Sequence, residues 1–238
     1  MKFGRPLQIK MEFPNYKEEQ NFHDEGFRFV FGIDEAGMGP LAGPVVAAIC
    51  LLKAGDYSHR ANDKWFYRVR DSKTIAKHER DKLEEQILDN CEAYGIGEAS
   101  VLEIDEMNIH QARFLAMRRA LQKCLQQNSL HIDFLATNEV CLLVDGKFII
   151  PNLINENIQQ QAIVKGDQKV LSIAAASILA KSHRDRLLEK LSGKYPEYEL
   201  QQHKGYGTQK HIAAIKKFGP SEIHRKSFLK NIIISERV

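Results

Sequence analysis

The sequence predicts an α/β layered fold that ends in a small helical appendage. Three observations carry that reading. Short runs of β-branched and aromatic residues alternate with stretches of helical apolar spacing, the pattern of strands layered against helices. The 238 residues are 43% hydrophobic and 27% charged, enough apolar material for a sizeable core and too much for disorder outside the ends. After Tyr195–Pro196 the chain turns basic and rich in turns.

Residues 1–26 are polar and irregular, and are expected to form a loosely held N-terminal extension. FRFVFGI, residues 27–33, reads as a first strand running into a glycine-rich turn. PVVAAICLL, residues 44–52, reads as a buried second strand, and residues 54–70 as a loop anchored by Trp65, Phe66 and Tyr67. Leu83, Ile87 and Leu88 sit at helical spacing among charges, which predicts a helix over 76–92. YGIGEASV, residues 94–101, is a third strand. One long helix is expected over 105–127, with Ile109, Ala112, Leu115, Ala116 and Leu121 on one side. EVCLLVDG, residues 139–146, and QQAIVKGD, residues 160–167, read as strands that finish in Asp145 and Asp167. A helix follows over 173–191, and its opening SIAAASILA is small enough to press closely on a sheet. The division is then extension 1–26, main α/β domain 27–196 and basic segment 197–238, with one short helix near 208–218.

Net charge is +3 and the isoelectric point about 8.6, a balance that identifies no partner by itself. The distribution says more: His203 to Val238 holds eight Lys/Arg against two Asp/Glu, a surface suited to a polyanion or simply a solvated face. Cys50, Cys91, Cys124 and Cys141 are scattered, without zinc-ligand spacing or a disulfide framework. The N-terminus has no secretory apolar run, and no stretch approaches a membrane span. A soluble cytoplasmic protein with no membrane association is expected.

The sharpest local feature is GIDEAGMGPLAGP, residues 32–44, where Asp34 and Glu35 directly follow an apolar strand. A lone Asp at a strand end is usually a cap or turn residue. Three strands that each finish in a carboxylate can instead gather Asp34, Glu35, Asp145 and Asp167 at one sheet edge, where open α/β sheets bind ligands. Clustered carboxylates repel one another, and a hard divalent cation, Mg²⁺ or Mn²⁺, relieves the repulsion. Two such ions ~3.5–4 Å apart suit phosphodiester cleavage. Gly37, Gly39 and Gly43 allow either a tight connection or a close approach to a ligand. Tyr206 in KGYGT packs or stacks on a sugar or base. In DSK, Asp71 or Ser72 caps a helix, or Ser72 and Lys73 hold a phosphate, and HRKSF, residues 224–228, offers further phosphate-type donors or a solvated face.

The set DEAGMGPLAGPVVAA, DSK, EIDEMNI, VDG, KGD, SIAAASILAK, QHKGYGT and HRKSF resembles the ribonuclease HII family, the bacterial type 2 ribonucleases H, in the family's order from about residue 29 to residue 230. The resemblance implies a ribonuclease H-like fold, a mixed central sheet flanked by helices with a small C-terminal helical appendage. It implies that Asp34, Glu35, Asp145 and Asp167 hold two divalent ions and drive hydrolysis, with Asp185 of KSHRD the alternative fourth acid. Gly37, Met38 and Gly39 match the loop that senses a ribonucleotide followed by a deoxyribonucleotide, and Tyr206 the tyrosine that packs on the adjoining deoxyribose. Ser72 and Lys73 match residues near backbone phosphates, and Lys165 of KGD is assigned to substrate as well. The implied substrates are RNA/DNA hybrids and duplex DNA with embedded ribonucleotides, cut to 5′-phosphate and 3′-hydroxyl ends by a monomer.

The chain departs from the family pattern at several points. Met38 stands where the family usually has arginine, and methionine brings neither charge nor a fork of donors. Arg113 occupies a position where a small polar residue is common, and Ser182–His183 replaces an apolar–Thr pair. Two rivals follow: a nuclease of the same fold acting on DNA alone, and a binding protein whose site has decayed. Retention of four costly clustered acids speaks against the second.

Overall fold

Alternation sets the centre of the molecule. In strand β2, Val45–Leu52, all eight positions are buried. Val45, Ala47, Ile49 and Leu51 enter one core, while Val46, Ala48, Cys50 and Leu52 enter another. A strand covered on both faces reads as a continuous apolar run, because successive side chains point to opposite sides. The computed structural model describes residues 13–55, 57, 65–69, 75–127, 139–156 and 158–233.

Five strands form one mixed sheet: β1 (Phe29–Ala36), β2, β3 (Cys91–Ala99), β4 (Val140–Asp145) and β5 (Gln159–Ile163). Their order is β3-β2-β1-β4-β5. β1 pairs antiparallel with β2, as does β2 with β3, whereas β1 with β4 and β4 with β5 are parallel. The mixed sheet flanked by helices is the fold expected. Helix α4 (Ile109–Gln127) buries Ala112, Ala116, Met117 and Ala120 against one face. Helices α2 (Lys77–Asn90) and α5 (Leu171–Lys194) cover the other.

The small-residue opening of α5 is buried from Leu171 to Ala180. There the helix backbone lies almost on the sheet: a Cβ at Gly32 would sit 2.2 Å from the Ser172 carbonyl carbon and 2.3 Å from the Ile173 nitrogen. The layer contact that carries β1 past Asp34 therefore requires glycine at 32.

Four boundaries differ from expectation. The single helix over 105–127 is two, α3 (Val101–Met107) and α4. Ser100 and Glu103 form a reciprocal capping box that starts α3. Asn108 then turns left-handed at φ 71° and accepts the His110 and Gln111 N–H groups, restarting the helix. The strand read over 160–167 stops at Ile163, and Asp167 lies in a 3₁₀ turn, Gly166–Gln168. The expected loose extension includes a helix, α1 (Lys17–Asp24), whose Glu19 is fully buried and accepts the Ser172 N–H at 2.7 Å. Burial raises the Glu19 carboxyl to about 7, against the lowering effect of that hydrogen bond. The basic segment carries α6 (Leu200–His203), α7 (Gln209–Phe218) and α8 (Lys226–Ile233), not one helix. Tyr198, Leu200, Ile215, Ile223 and Leu229 from this segment share a small core with Leu41 and Ala42 of the glycine-rich loop. Among the described residues no helix is long and apolar enough to cross a membrane.

Candidate active site

Parallel pairing of β1 with β4 puts Ile33 beside Val144, so the strands bring Asp34 and Asp145 to one edge. The chain leaving β5 turns at Lys165 in the left-handed conformation, φ 58°, and returns as the 3₁₀ turn carrying Asp167. That return is tight. The Gly166 N–H donates to Asp145 Oδ1 at 2.7 Å, and a Cβ on Gly166 would meet Ile173 Cδ1 at 2.6 Å. The Gly166 N–H thus ties the two acidic segments together.

Asp34, Glu35, Asp145 and Asp167 line one cavity of about 280 Å³. Gly37, Met38, Gly39 and Tyr206 line it too, together with Ser177, Lys181 and Arg184. Asp34 and Asp167 are buried. The Asp34 carboxyl is held well above the ordinary range, chiefly by burial, then by the charges of Glu35 and Asp145. The Ser177 hydroxyl and the Glu35 N–H, the latter 2.7 Å from Asp34 Oδ1, act in the opposite direction. Arg113 lies 3.6 Å from Glu35 and 4.6 Å over the Phe114 ring.

Other assigned residues fall elsewhere. Lys165 is exposed and is not among the cavity lining. Ser72 and Lys73 lie outside the described residues. Asp185, the alternative fourth acid, does not itself line the cavity; it is buried between Arg80 at 2.6 Å and the lining residue Lys181 at 2.5 Å. The HRKSF motif is not a row of solvated donors: His224 and Arg225 are buried, and the N–H groups of Lys226 and Ser227 are capped by Asp105 at 2.9 Å.

Tyr206 is 45% exposed and lines the cavity. Its backbone is held by a chain of three buried histidines that motif reading missed. Ser221 N–H donates to His224 Nδ1 at 3.1 Å, which leaves His224 Nε2 to donate to His211 Nε2 at 3.2 Å. His211 Nδ1 then donates to the Tyr206 carbonyl at 2.9 Å, and His203 stacks on His211 at 4.3 Å. Every ring is satisfied when neutral. A proton on His211 would set two donors against each other. Burial first, then the His211 charge, depresses His224 from the usual 6.5 to about 4. The unfolded chain therefore binds more protons between those values, and this contribution to stability, full above pH 6.5, is lost as pH falls toward 4. We expect His224→Gln to flatten the acid side of the stability–pH curve by up to roughly 3 kcal/mol. Paired denaturation curves of parent and variant at pH 7.5, 5.5 and 4.5 cancel the opposite-signed effects of Glu19 and Asp34. Parallel curves would refute the assignment.

The ribonuclease HII family model matches residues 31–231. The chain belongs to the ribonuclease HII family. It is 45% identical over 220 residues to ribonuclease HII of Caldicellulosiruptor bescii, spanning 92% of this chain and 96% of that one. To the Clostridioides difficile ribonuclease HII it is 44% identical over 229 residues, 96% and 80% of the two chains. Among solved structures, ribonuclease H2 from Pyrococcus horikoshii superposes with a TM-score of 0.61 at 26% identity, covering 87% of this chain and 98% of that one. Bst-RNase HIII in complex with Mn²⁺ shares the fold, with a TM-score of 0.64 at 20% identity over 91% and 73% of the chains. As a ribonuclease HII family member, the protein is a metal-dependent endoribonuclease.

The cavity's donor set fits a divalent cation. Its four candidate ligands are oxygen donors only, and Asp34 is held where its ionised form repels Glu35 and Asp145. Among the described residues no three His, Cys, Asp or Glu side chains form a ready-made cage. Mg²⁺ is commonly held by one or two carboxylates, with water and substrate phosphate completing its shell, so a closed cage is not what such an ion requires.

Proposed function

We propose that this ribonuclease HII family member, an endonuclease of the RNA strand in RNA/DNA hybrids, also cuts at single ribonucleotides embedded in duplex DNA, leaving 5′-phosphate and 3′-hydroxyl ends. The observation that carries the reading is one cavity lined by the four acids, the Gly37–Gly39 loop and Tyr206 together. Acids alone would suit many nucleases. The loop and an exposed aromatic beside them supply a surface for the sugar next to the cut.

Asp34, Glu35, Asp145 and Asp167 would hold two Mg²⁺ or Mn²⁺ ions. When bound, such ions activate water and neutralise charge on the departing oxygen. The chain's own residues do the rest. The 2′-hydroxyl of the ribonucleotide is the group that separates RNA from DNA, and the Gly37–Gly39 loop would meet it. The Tyr206 ring offers a stacking face for the neighbouring deoxyribose. Lys181 brings a cation to the cavity wall, where burial lowers its pKa against the partial compensation of Asp185. Residues 27–196 supply the acids, and the segment 197–238 supplies Tyr206. The protein works as a monomer in the cytoplasm.

A side-by-side digest tests the reading with three duplexes: a full RNA/DNA hybrid, DNA with one ribonucleotide, and plain DNA. Mg²⁺- or Mn²⁺-dependent cutting of the first two and not the third is expected, with the embedded site cut at one position. Equal cutting of plain DNA would refute it, as would inertness toward the embedded ribonucleotide.

A further inference from the structure

Two buried guanidiniums hold the glycine-rich loop from the protein side. Arg225 is 0% and Arg184 1% exposed. Arg225 donates to the carbonyls of Gly43 at 2.9 Å, Met38 at 3.3 Å and Gly37 at 2.7 Å. Arg184 donates to Pro44 at 3.1 Å, Ala42 at 3.1 Å and Lys204 at 3.2 Å. Among the described residues neither meets a carboxylate at ion-pair distance. Peptide carbonyls supply their hydrogen-bond acceptors, and Arg225 also lies over the Phe228 ring at 5.2 Å. Lysine would keep the charge but not the planar fork that reaches three carbonyls at once.

The contacts have a directional consequence. In a trans peptide the C=O and N–H point to opposite sides, and the described chain has no cis bond. The peptide whose carbonyl belongs to Gly37 carries the N–H of Met38. The next carries the N–H of Gly39. Fixing both carbonyls on Arg225 turns both N–H groups away from it, in a segment that lines the cavity. Arg184 ties the same loop to Lys204, two residues before Tyr206, and so adds a side-chain brace to the Leu41 N–H bond to the Gly205 carbonyl at 2.8 Å that joins the two walls.

We propose that Arg184 and Arg225 are positioning residues for nucleotide discrimination, fixing the Met38 and Gly39 amides and their distance from Tyr206 so that selectivity needs no charged side chain at position 38. This rests on the reading above that the Gly37–Gly39 loop and Tyr206 meet the ribonucleotide.

The test is steady-state kinetics of Arg225→Lys and Arg184→Lys on the embedded-ribonucleotide duplex and the RNA/DNA hybrid, with melting curves for each protein. For folded variants we expect KM on the embedded site to rise ~10-fold or more, kcat to fall less, and the kcat/KM ratio of embedded site to hybrid to drop ~10-fold. A merely structural role would lower the active fraction, reducing kcat on both substrates together and leaving KM and the ratio unchanged. That result overturns the proposal, as does failure of both lysine variants to fold. If one variant fails to fold, the other decides. If the parent cuts the hybrid but not the embedded site, the reading above fails instead, and the positioning role is judged by whether KM for the hybrid rises in the variants.

Discussion

Asp34→Asn is expected to lower metal-dependent cleavage by ~10³-fold or more while making the metal-free protein more heat-stable. Both halves follow from one placement. Asp34 is buried at the edge of β1, within the fields of Glu35 and Asp145, and its carboxyl is pushed well above the ordinary range. Its ionised form costs stability at neutral pH, and that cost is relieved as pH falls through the raised value. Asparagine removes the cost. The Tm of the chelator-treated variant should exceed that of the parent by ~2–4 °C at pH 8, and the gap should narrow toward acid. Scanning fluorimetry with a chelator, beside a cleavage assay with Mn²⁺, measures both. Turnover within ~10-fold of the parent would remove Asp34 from the reaction. An unchanged Tm would show that the acids do not strain the metal-free fold.

Gly32→Ala is expected to have the largest effect on stability, a loss of about 3 kcal/mol or more and a Tm drop of roughly 10 °C. The added Cβ meets backbone atoms of Ser172 and Ile173 at 2.2–2.3 Å, not the tip of a side chain that could swing away. Relief requires α5 to lift from β1, which also moves Asp34, two residues further on. Activity should therefore fall even at temperatures where the variant stays folded. A Tm within ~2 °C of the parent, by calorimetry, would mean that the helix slides freely on the sheet.

Apolar runs and adjacent acids were legible because each signal is contained in a short window. β2 reads as continuous hydrophobicity since both its faces are covered, and Asp34–Glu35 stand out because two charges end such a run. The break at Asn108 was less visible. Helical spacing persists across it, and only the Ser100–Glu103 pair marks the earlier start. Asp167 looked like a strand end since nothing in QQAIVKGD shows that Lys165 turns left-handed. Arg225 and the three histidines were opaque for another reason. Arg225 meets carbonyls more than 180 residues away, and the histidines meet backbone groups and one another within the same basic stretch, so a charged or imidazole residue there reads as solvated. Glu19 was hidden in the same way, its partner being a backbone N–H more than 150 residues on.

The Gly37 carbonyl and the guanidinium that holds it are 188 residues apart in sequence. Local hairpins can close while a polypeptide is still being made, but a contact of that span waits for nearly all the intervening chain. During synthesis the acid-bearing strands can pair well before the loop beside them acquires its final shape. A nascent chain can thus pair the strands of Asp34 and Asp145 before the Gly37–Gly39 loop gains its hold from Arg225.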